Sequence, residues 1–317
     1  MKISLLPLLF CLALPVRAQE FSVEHLQHKR LGITHGQYSG ITHVSEDIYA
    51  VVHDKAVGGG IFFFTIGFNA DGTVGPVTAF ETDAGGAKGL DNEDIVYVPE
   101  TQTLFVSAEG DQSIREYYLN GAPTGRQLRI PAPLLSPKAN AGFESLAYHD
   151  GIFWTTTESP LPGETLHRLQ SFHLSTLSPG KCWNYRAGEP STSTAEAASA
   201  QAHVYGISAL TALPDGRLVV LEREVYVPKG SVLDMLKSFS CCSLFVIDPL
   251  HDNSPELKKT PLTQFYTSFM DIANFEGMCL GPVLPDGRQT LLLLADSQDG
   301  SQGLTGEYIR VLALEIR

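Results

Sequence analysis

Three glutamates, Glu93, Glu144 and Glu276, stand at the same place in a short phrase that recurs along the chain. If the fold brings the copies together, the three carboxylates converge, and they repel one another unless a cation or a shared proton lies between them. Calcium suits such a group best, because this hard ion takes about six to eight oxygen ligands. We therefore expect Glu93, Glu144 and Glu276 to be catalytic residues and, with Asp296, to be ligands of a calcium ion.

A second set of acids follows the second strand of each phrase, where acidic side chains commonly cap turns or accept hydrogen bonds from backbone amides. These acids are Asp54, Glu109, Glu158, Glu222 and Asp296. Apart from the ligand candidate Asp296, we interpret them as mainly structural. Lys55 and Arg223 directly follow two of them and are the candidates for binding substrate. Neighbours on a strand face opposite ways, so these two bases need not share a site with the acids.

The recurring phrase itself predicts the fold. Its five copies start at Tyr38-Ser-Gly-Ile-Thr, Asn92-Glu-Asp-Ile-Val, Phe143-Glu-Ser-Leu-Ala, Gly206-Ile-Ser-Ala-Leu and Phe275-Glu-Gly-Met-Cys. The matched positions 39, 93, 144, 207 and 276 lie 51 to 69 residues apart, and each interval has room for two further strand-like runs. Four strands per repeat are typical of a propeller blade. The sequence therefore predicts an all-β propeller of five blades, with the glutamates near one mouth of its channel.

The two chain ends indicate how the ring closes. The last copy runs out one strand short, and an unassigned strand, residues 21–26, precedes the first copy. We expect this N-terminal strand to complete the last blade and remove its open edge. Two alternatives remain: a two-sheet sandwich, or six blades with the extra one around residues 166–202. Residues 191–201 are Ser/Thr/Ala-rich and are interpreted as a mobile loop, and residues 232–239 as a short helix inserted between strands.

The first eighteen residues have the layout of a signal peptide, with Lys2 before a short apolar run and Val16 and Ala18 at the end. We expect cleavage before Gln19 and a single domain over residues 19–317, secreted or periplasmic. The apolar run is too short to span a bilayer. The net charge of −13 disfavours nucleic acid and anionic lipid as partners. We expect a monomer without a membrane span that acts on a small-molecule substrate.

Other residue patterns exclude some kinds of site. Four cysteines follow the signal peptide, Cys182, Cys241, Cys242 and Cys279, and their possible disulfide pairings stay open. The sequence contains no C-x-x-C pair, which argues against structural zinc. It also contains no G-x-S-x-G elbow, which argues against a serine esterase.

Four phrases carry a family resemblance: Gly142-Phe-Glu-Ser-Leu-Ala-Tyr148, Asn274-Phe-Glu-Gly-Met-Cys-Leu-Gly-Pro282, Leu284-Pro-Asp-Gly-Arg288 and Leu291-Leu-Leu-Leu-Ala-Asp-Ser-Gln298. Through them the chain resembles the phytase-like family, also called "esterase-like activity of phytase", over nearly the whole sequence after residue 32. The resemblance implies a secreted propeller that hydrolyses phosphate esters or other esters with calcium.

Two functions follow from these observations. The first is a calcium-assisted hydrolase of a phosphate ester or other ester, in which one carboxylate helps to deprotonate water. The second is a non-catalytic propeller that binds a sugar, a peptide or another partner of the cell envelope. The small number of basic residues near the acids weighs against a phytase in particular, because phosphate needs cationic partners.

Overall fold

The computed structural model describes residues 21–33, 36–54, 60–82, 84, 86–87, 89–138, 141–297 and 306–316. Within these residues, twenty strands form five four-stranded antiparallel sheets arranged as the blades of a β-propeller. The predicted five-bladed propeller is confirmed, and the sandwich and six-blade alternatives are wrong. The signal peptide predicted over residues 1–18 and the candidate Lys55 lie outside the described residues.

The strands follow one another through the ring. The first strand, β1 (Phe21–Arg30), belongs to the last blade. The first blade contains β2 (Tyr38–Ser45), β3 (Ile48–His53), β4 (Ile61–Phe68) and β5 (Val74–Glu81), and the second contains β6 (Asn92–Val98), β7 (Thr103–Ala108), β8 (Ser113–Tyr118) and β9 (Pro123–Gln127). The third contains β10 (Phe143–His149), β11 (Ile152–Thr157), β12 (His167–His173) and β13 (Pro179–Tyr185). The fourth contains β14 (Ala200–Ala212), β15 (Leu218–Pro228), β16 (Phe239–Ile247) and β17 (Lys259–Ser268), and the fifth contains β18 (Asn274–Val283), β19 (Gln289–Asp296) and β20 (Tyr308–Ile316).

Apolar side chains fill the seams between neighbouring blades. In β19, Leu291 and Leu293 pack against the fourth blade, whereas Leu292 and Leu294 pack against the first. Successive residues of a strand point to opposite faces, so a strand buried on both faces needs a continuous apolar run. The described residues form five such clusters, one at each seam.

The ring closes through the N-terminal strand, as predicted. Strand β1 pairs with β20 in antiparallel register from Phe21 opposite Ile316 to Arg30 opposite Tyr308. Closure also brings the innermost strands β18 and β2 together near the axis. At Gly277 a Cβ atom would lie 2.3 Å from the carbonyl oxygen of Ser39, so the approach of these two strands requires glycine.

Two short helices lie beside the fourth blade. The helix predicted for residues 232–239 is present as α2 (Val232–Met235), but Phe239 already belongs to β16. The interpretation of residues 191–201 as a mobile loop is wrong, because they contain the helix α1 (Thr194–Ser199), whose start is capped by Ser193 and Glu196. A 3₁₀ helix covers Ala132–Leu135. No helix among the described residues is long and apolar enough to cross a membrane.

The region proposed for a sixth blade belongs to the third blade, through β12 and β13, and to the connection that follows them. The four described cysteines, Cys182, Cys241, Cys242 and Cys279, are free thiols.

Candidate metal centre at one mouth of the channel

A bulge aims the predicted glutamates into the channel. In the second, third and fifth blades, the pairing of the first two strands skips one residue, which is Glu93, Glu144 or Glu276. A β-bulge leaves its extra residue unpaired and redirects the side chain. All three glutamates line a single cavity of about 470 Å³ at one mouth of the channel. The recurring glutamate of the sequence therefore marks the bulge of the innermost strand in these three blades.

The fourth blade departs from the alignment of the sequence phrases by one residue. Its bulge falls between the pairs Ile207–Glu222 and Ala209–Leu221, so Ser208 takes the position of the glutamate. The residue after Glu222, Arg223, then takes the position that Glu158 has in the third blade. The expectation that Ile207 and Glu222 are the fourth members of the two sets is wrong, since the bulge shifts both by one place.

Among the described residues, eight carboxylates and one guanidinium line this cavity. The lining acids are Asp54, Asp91, Glu93, Glu109, Glu144, Glu158, Glu276 and Asp296. The predicted ligands Glu93, Glu144, Glu276 and Asp296 therefore share one cavity, where they are 8%, 8%, 9% and 3% exposed. Arg223 is the one basic residue among the described lining residues. So dense a negative charge in a buried space needs protons or a cation to balance it.

Arg223 joins three blades across the channel. Its Nη2 donates to Glu158 Oε1 at 2.5 Å, and its Nη1 donates to Glu276 Oε1 at 2.5 Å and to Asn274 Oδ1 at 2.8 Å. Burial lowers the pKa of the guanidinium, but the carboxylates of Glu276 and Glu158 outweigh it and raise the pKa above its ordinary value. The predicted substrate-binding residue thus lies in the cavity, with both Nη atoms bound to its walls.

The pKa values of two of the predicted glutamates, Glu93 and Glu144, are strongly raised. Burial raises the pKa of Glu93 well above its ordinary value, and the nearby carboxylates of Glu144 and Glu276 raise it further. Burial and the carboxylates of Glu158 and Glu276 likewise raise the pKa of Glu144, against a smaller opposing effect of Arg223. These glutamates hold protons more tightly than exposed ones do, and a bound cation would displace those protons.

In the part of the chain that the structure describes, two overlapping groups of carboxylates could hold a cation. One consists of Glu93, Glu109 and Glu144, and the other of Asp54, Asp91 and Glu93, and within each group one oxygen per residue lies within 4.8 Å of the others. A calcium ion sits about 2.4 Å from each oxygen, so ligands on opposite sides of it lie about 4.8 Å apart. The donors are all oxygens, which suits a hard cation and not a soft one.

These groups differ from the predicted ligand set. They keep Glu93 and Glu144, but they include neither Glu276, which is bound by Arg223, nor Asp296. They add Glu109 and Asp54, which their position at the ends of strands predicts to be structural, and Asp91, which stands just before the repeated phrase. Glu109 also has the expected structural contact, because its Oε1 accepts a hydrogen bond from the amide of Gly142 at 2.8 Å. A strand-end acid can therefore hold a turn and line the channel at once.

Glu222 lies on the other face of β15, away from the cavity. It accepts hydrogen bonds from Tyr185 Oη and Lys259 Nζ, both at 2.5 Å, and from the amide of Gly188 at 2.8 Å. These partners belong to the third and fourth blades and to the connection between them, so Glu222 ties the two blades together. Its structural interpretation agrees with these contacts.

The opposite mouth of the channel has a different chemistry. A cavity of about 260 Å³ there is lined by residues from further along the innermost strands, including Ile41, Ile95, Leu146, Leu210 and Met278. None of its described lining residues is acidic. Among the described lining residues, the carboxylates therefore mark one end of the channel.

Solved structures to which the chain is similar include a streptogramin B lyase, at 13% identity over 93% of this chain and 98% of that one, with a TM-score of 0.38. The calcium-binding protein regucalcin from Agrobacterium tumefaciens is similar at 10% identity over 92% and 96% of the two chains, with a TM-score of 0.45. The periplasmic gluconolactonase of Pseudomonas aeruginosa matches at 16% identity over 86% and 71%, with a TM-score of 0.36. No curated protein matches the sequence. Residues 33–298 match the profile described as "esterase-like activity of phytase", and the chain therefore belongs to the phytase-like family.

Proposed function

We propose that this propeller is a calcium-assisted hydrolase of phosphate esters or other esters that acts in the acidic mouth of its channel. The observation that carries the proposal is the group of Glu93, Glu109 and Glu144, whose oxygens converge within 4.8 Å in a buried cavity. Membership of the phytase-like family supports an ester as the small-molecule substrate.

In this proposal Glu93, Glu109 and Glu144 hold the calcium ion, and Asp54 and Asp91 lie close enough to Glu93 to contribute. When bound, calcium would neutralise these carboxylates and polarise an oxygen of the ester. The raised pKa values of Glu93 and Glu144 imply that binding releases protons. The affinity for calcium should therefore rise with pH.

Glu276 is the proposed general base. Its Oε1 accepts from both Arg223 Nη1 and Asn274 Nδ2, at 2.5 and 2.8 Å. Its Oε2 has a longer contact, to Ser39 Oγ at 3.5 Å. Oε2 is thus the oxygen available to take a proton from the attacking water, and the proton then passes to the leaving alkoxide as the ester bond breaks. Arg223 and Asn274 are positioning residues, because they hold the carboxylate in place.

The layout of residues 1–18 supports export to the periplasm or the exterior. Expression of the full chain with its own N-terminus tests this, because intact-mass analysis of the exported protein should show a first residue of Gln19. Retention of residues 1–18 in that fraction would refute cleavage at this site.

A second candidate is a binding propeller without catalysis. This candidate is favoured because Arg223 is the one basic residue among the described cavity-lining residues. Its two Nη atoms already donate hydrogen bonds to Glu158, Glu276 and Asn274. Phosphate would then have calcium as its main positive partner. A propeller that only holds calcium or a cationic ligand would need no further basic group.

Turnover assays separate the two candidates. The purified protein is assayed against chromogenic phosphate and carboxylate esters in calcium and in chelator, beside Glu276→Gln and Glu222→Gln. We expect turnover in calcium, its loss in chelator, and at least about a hundredfold loss in Glu276→Gln. Glu222→Gln is the matched control, because its carboxylate faces away from the cavity. No turnover of any ester, together with calcium binding by titration, would favour the binding propeller.

A further inference from the structure

The hairpin formed by β14 and β15 in the fourth blade extends beyond the ring of carboxylates. In the first three blades, the second strand ends at His53, Ala108 or Thr157, directly before its cavity acid, and in the fifth blade it ends at Asp296. In the fourth blade β15 runs on past Arg223 to Pro228, and β14 starts correspondingly early, at Ala200. Strands β14 and β15 therefore project past the cavity by several residues on one side of its mouth.

The face of this hairpin that continues the cavity is apolar. Val204 lies opposite Val225, and Ala202 lies opposite Val227. Residues directly opposite in an antiparallel pair share a face, and Val204 itself lines the cavity. Val204, Val225 and Val227 are only half-buried, and Ala202 is exposed. We call Ala202, Val204, Val225 and Val227 the apolar wall.

The polar side chains of the same hairpin lie on its other face. Glu224 accepts from the amides of Ser191 and Thr192 at 2.7 and 2.9 Å and lies 3.1 Å from His203 Nε2. Tyr205 Oη contacts Glu222 at 3.4 Å. These contacts hold the hairpin against the preceding connection. The apolar wall itself therefore presents no polar side chain beside the carboxylate cavity.

We infer that the substrate is a monoester with an apolar alkyl or aryl group, whose ester head enters the carboxylate cavity while the apolar group lies along the apolar wall. This inference rests on the proposed function and specifies its substrate. A polyphosphorylated substrate would need several cationic partners, whereas Arg223 is the one basic residue among the described cavity-lining residues and is already bound. An apolar group gains by covering the valines, because their exposed surface leaves water.

Binding of n-alkylphosphonates, from methyl to octyl, tests the inference without requiring turnover. Affinity is measured by calorimetric titration in calcium. Each methylene that covers the wall should raise affinity by about two- to fourfold, up to the length of the wall. Inositol hexakisphosphate is titrated in parallel and should bind no better than methylphosphonate.

Val204→Ser and Val225→Ser place a hydroxyl on the wall and should flatten the dependence of affinity on chain length. The affinity of each variant for methylphosphonate, whose head reaches only the cavity, is the baseline against which its chain-length dependence is measured. Val283→Ser is the matched control, because Val283 is 61% exposed at the far end of β18. It should keep the full chain-length dependence.

The outcomes of these experiments distinguish a failure of the proposed apolar wall from a failure of the proposed hydrolase activity. Affinity that is flat with chain length, unchanged dependence in both wall variants, or no binding of any phosphonate would each overturn the inference. Chain-length dependence without turnover of any ester would remove the proposed hydrolysis but support the wall. Turnover with a preference for inositol hexakisphosphate would support the hydrolysis and overturn the wall.

Discussion

Arg223 takes in the fourth blade the position that Glu158 takes in the third, and the two side chains form an ion pair with Nη2 2.5 Å from Oε1. A ring of like acids is thus interrupted by one base. The guanidinium is 3% exposed and also binds Glu276, so it balances part of the negative charge where the third, fourth and fifth blades meet. The Glu93–Glu109–Glu144 group lies toward the second and third blades, where no described lining residue is basic.

Replacement of Arg223 by methionine should therefore destabilise the fold. It leaves Glu158 and Glu276 without their buried partner, and removing one member of a buried ion pair costs about 3 to 5 kcal/mol. We expect a loss of this size in urea unfolding at pH 8, and a smaller loss at pH 5, where Glu158, whose pKa is raised by burial, can take up a proton. Added calcium should restore part of the stability.

The control for this change is Arg186→Met, which removes an exposed ion pair with Glu256. Its unfolding curve should match the wild type at both pH values, because exposed pairs contribute little. Equal stability of Arg223→Met and wild type at pH 8 would show that the buried ion pairs do not support the ring.

The raised pKa of Glu144 predicts the pH dependence of the calcium-free protein. A carboxyl whose native pKa lies above its unfolded value binds more protons in the native state, so stability falls as pH rises above about 4.5 toward the native pKa. Glu144→Gln imitates the protonated form and should remove this part of the loss. In chelator at pH 8 the variant should be more stable than wild type by more than about 1 kcal/mol.

Urea unfolding at several pH values, in chelator and in calcium, measures this effect. Calcium should stabilise the wild type at pH 8 by about 1.4 to 2.7 kcal/mol at ten- to hundredfold excess over its dissociation constant, and the variant by less. A variant that is less stable than wild type at every pH would mean that Glu144 is ionised and paired in the native protein.

The repeated phrase was enough to predict the propeller because the chain repeats a local conformation. Three of the five copies carry the bulge that aims Glu93, Glu144 or Glu276 at the axis, and the extra strand at the N-terminal end supplies the strand that the last copy lacks. The one-residue shift in the fourth blade was not visible in the sequence. Ile207 and Ser208 are both buried, so the apolar pattern does not show which of them is the bulge.

The contacts that define the site also join residues far apart in sequence. Arg223 and Glu276 are 53 residues apart, and Glu109 lies 33 residues from the amide of Gly142 that it binds. Spacing within a strand predicts which face a side chain takes, but which acids share a cation depends on how the blades are arranged. The sequence would have indicated Glu109 as a ligand only if an acid at a strand end could both hold a turn and bind a cation.

Gly277 provides a test of the ring geometry beside the candidate site. An alanine Cβ there would lie 2.3 Å from the Ser39 carbonyl oxygen, so Gly277→Ala should force β18 away from β2. We expect a loss of about 1 to 3 kcal/mol in unfolding and weaker calcium-dependent activity, because Glu276 moves with the strand. Gly67→Ala in β4 is the control, since the atom nearest to an alanine Cβ there, outside the adjacent residues, is Asp47 Oδ2 at 3.8 Å. An unchanged melting temperature in Gly277→Ala would contradict the close approach.

The calcium ligands are tested by changing Glu93, Glu109 and Glu144 singly to glutamine, which keeps the size of the side chain and removes its charge. Each change should lower calcium affinity at least about tenfold in calorimetric titration, because calcium affinity depends on the number of charged ligands. Glu93 belongs to both carboxylate groups, so Glu93→Gln should show the largest loss. Glu276→Gln should lower affinity least, because Arg223 and Asn274 already hold one oxygen of Glu276.

Glu222→Gln is the control for these ligand variants. It weakens hydrogen bonds to Tyr185 and Lys259 on the far face of β15, and it should cost about 1 to 3 kcal/mol of stability while calcium affinity stays at the wild-type value. The opposite pattern, with equal calcium affinity in Glu93→Gln, Glu109→Gln, Glu144→Gln and wild type, would remove the metal from this cavity. The carboxylates would then have to be balanced by the protons that Glu93 and Glu144 hold and by the guanidinium of Arg223.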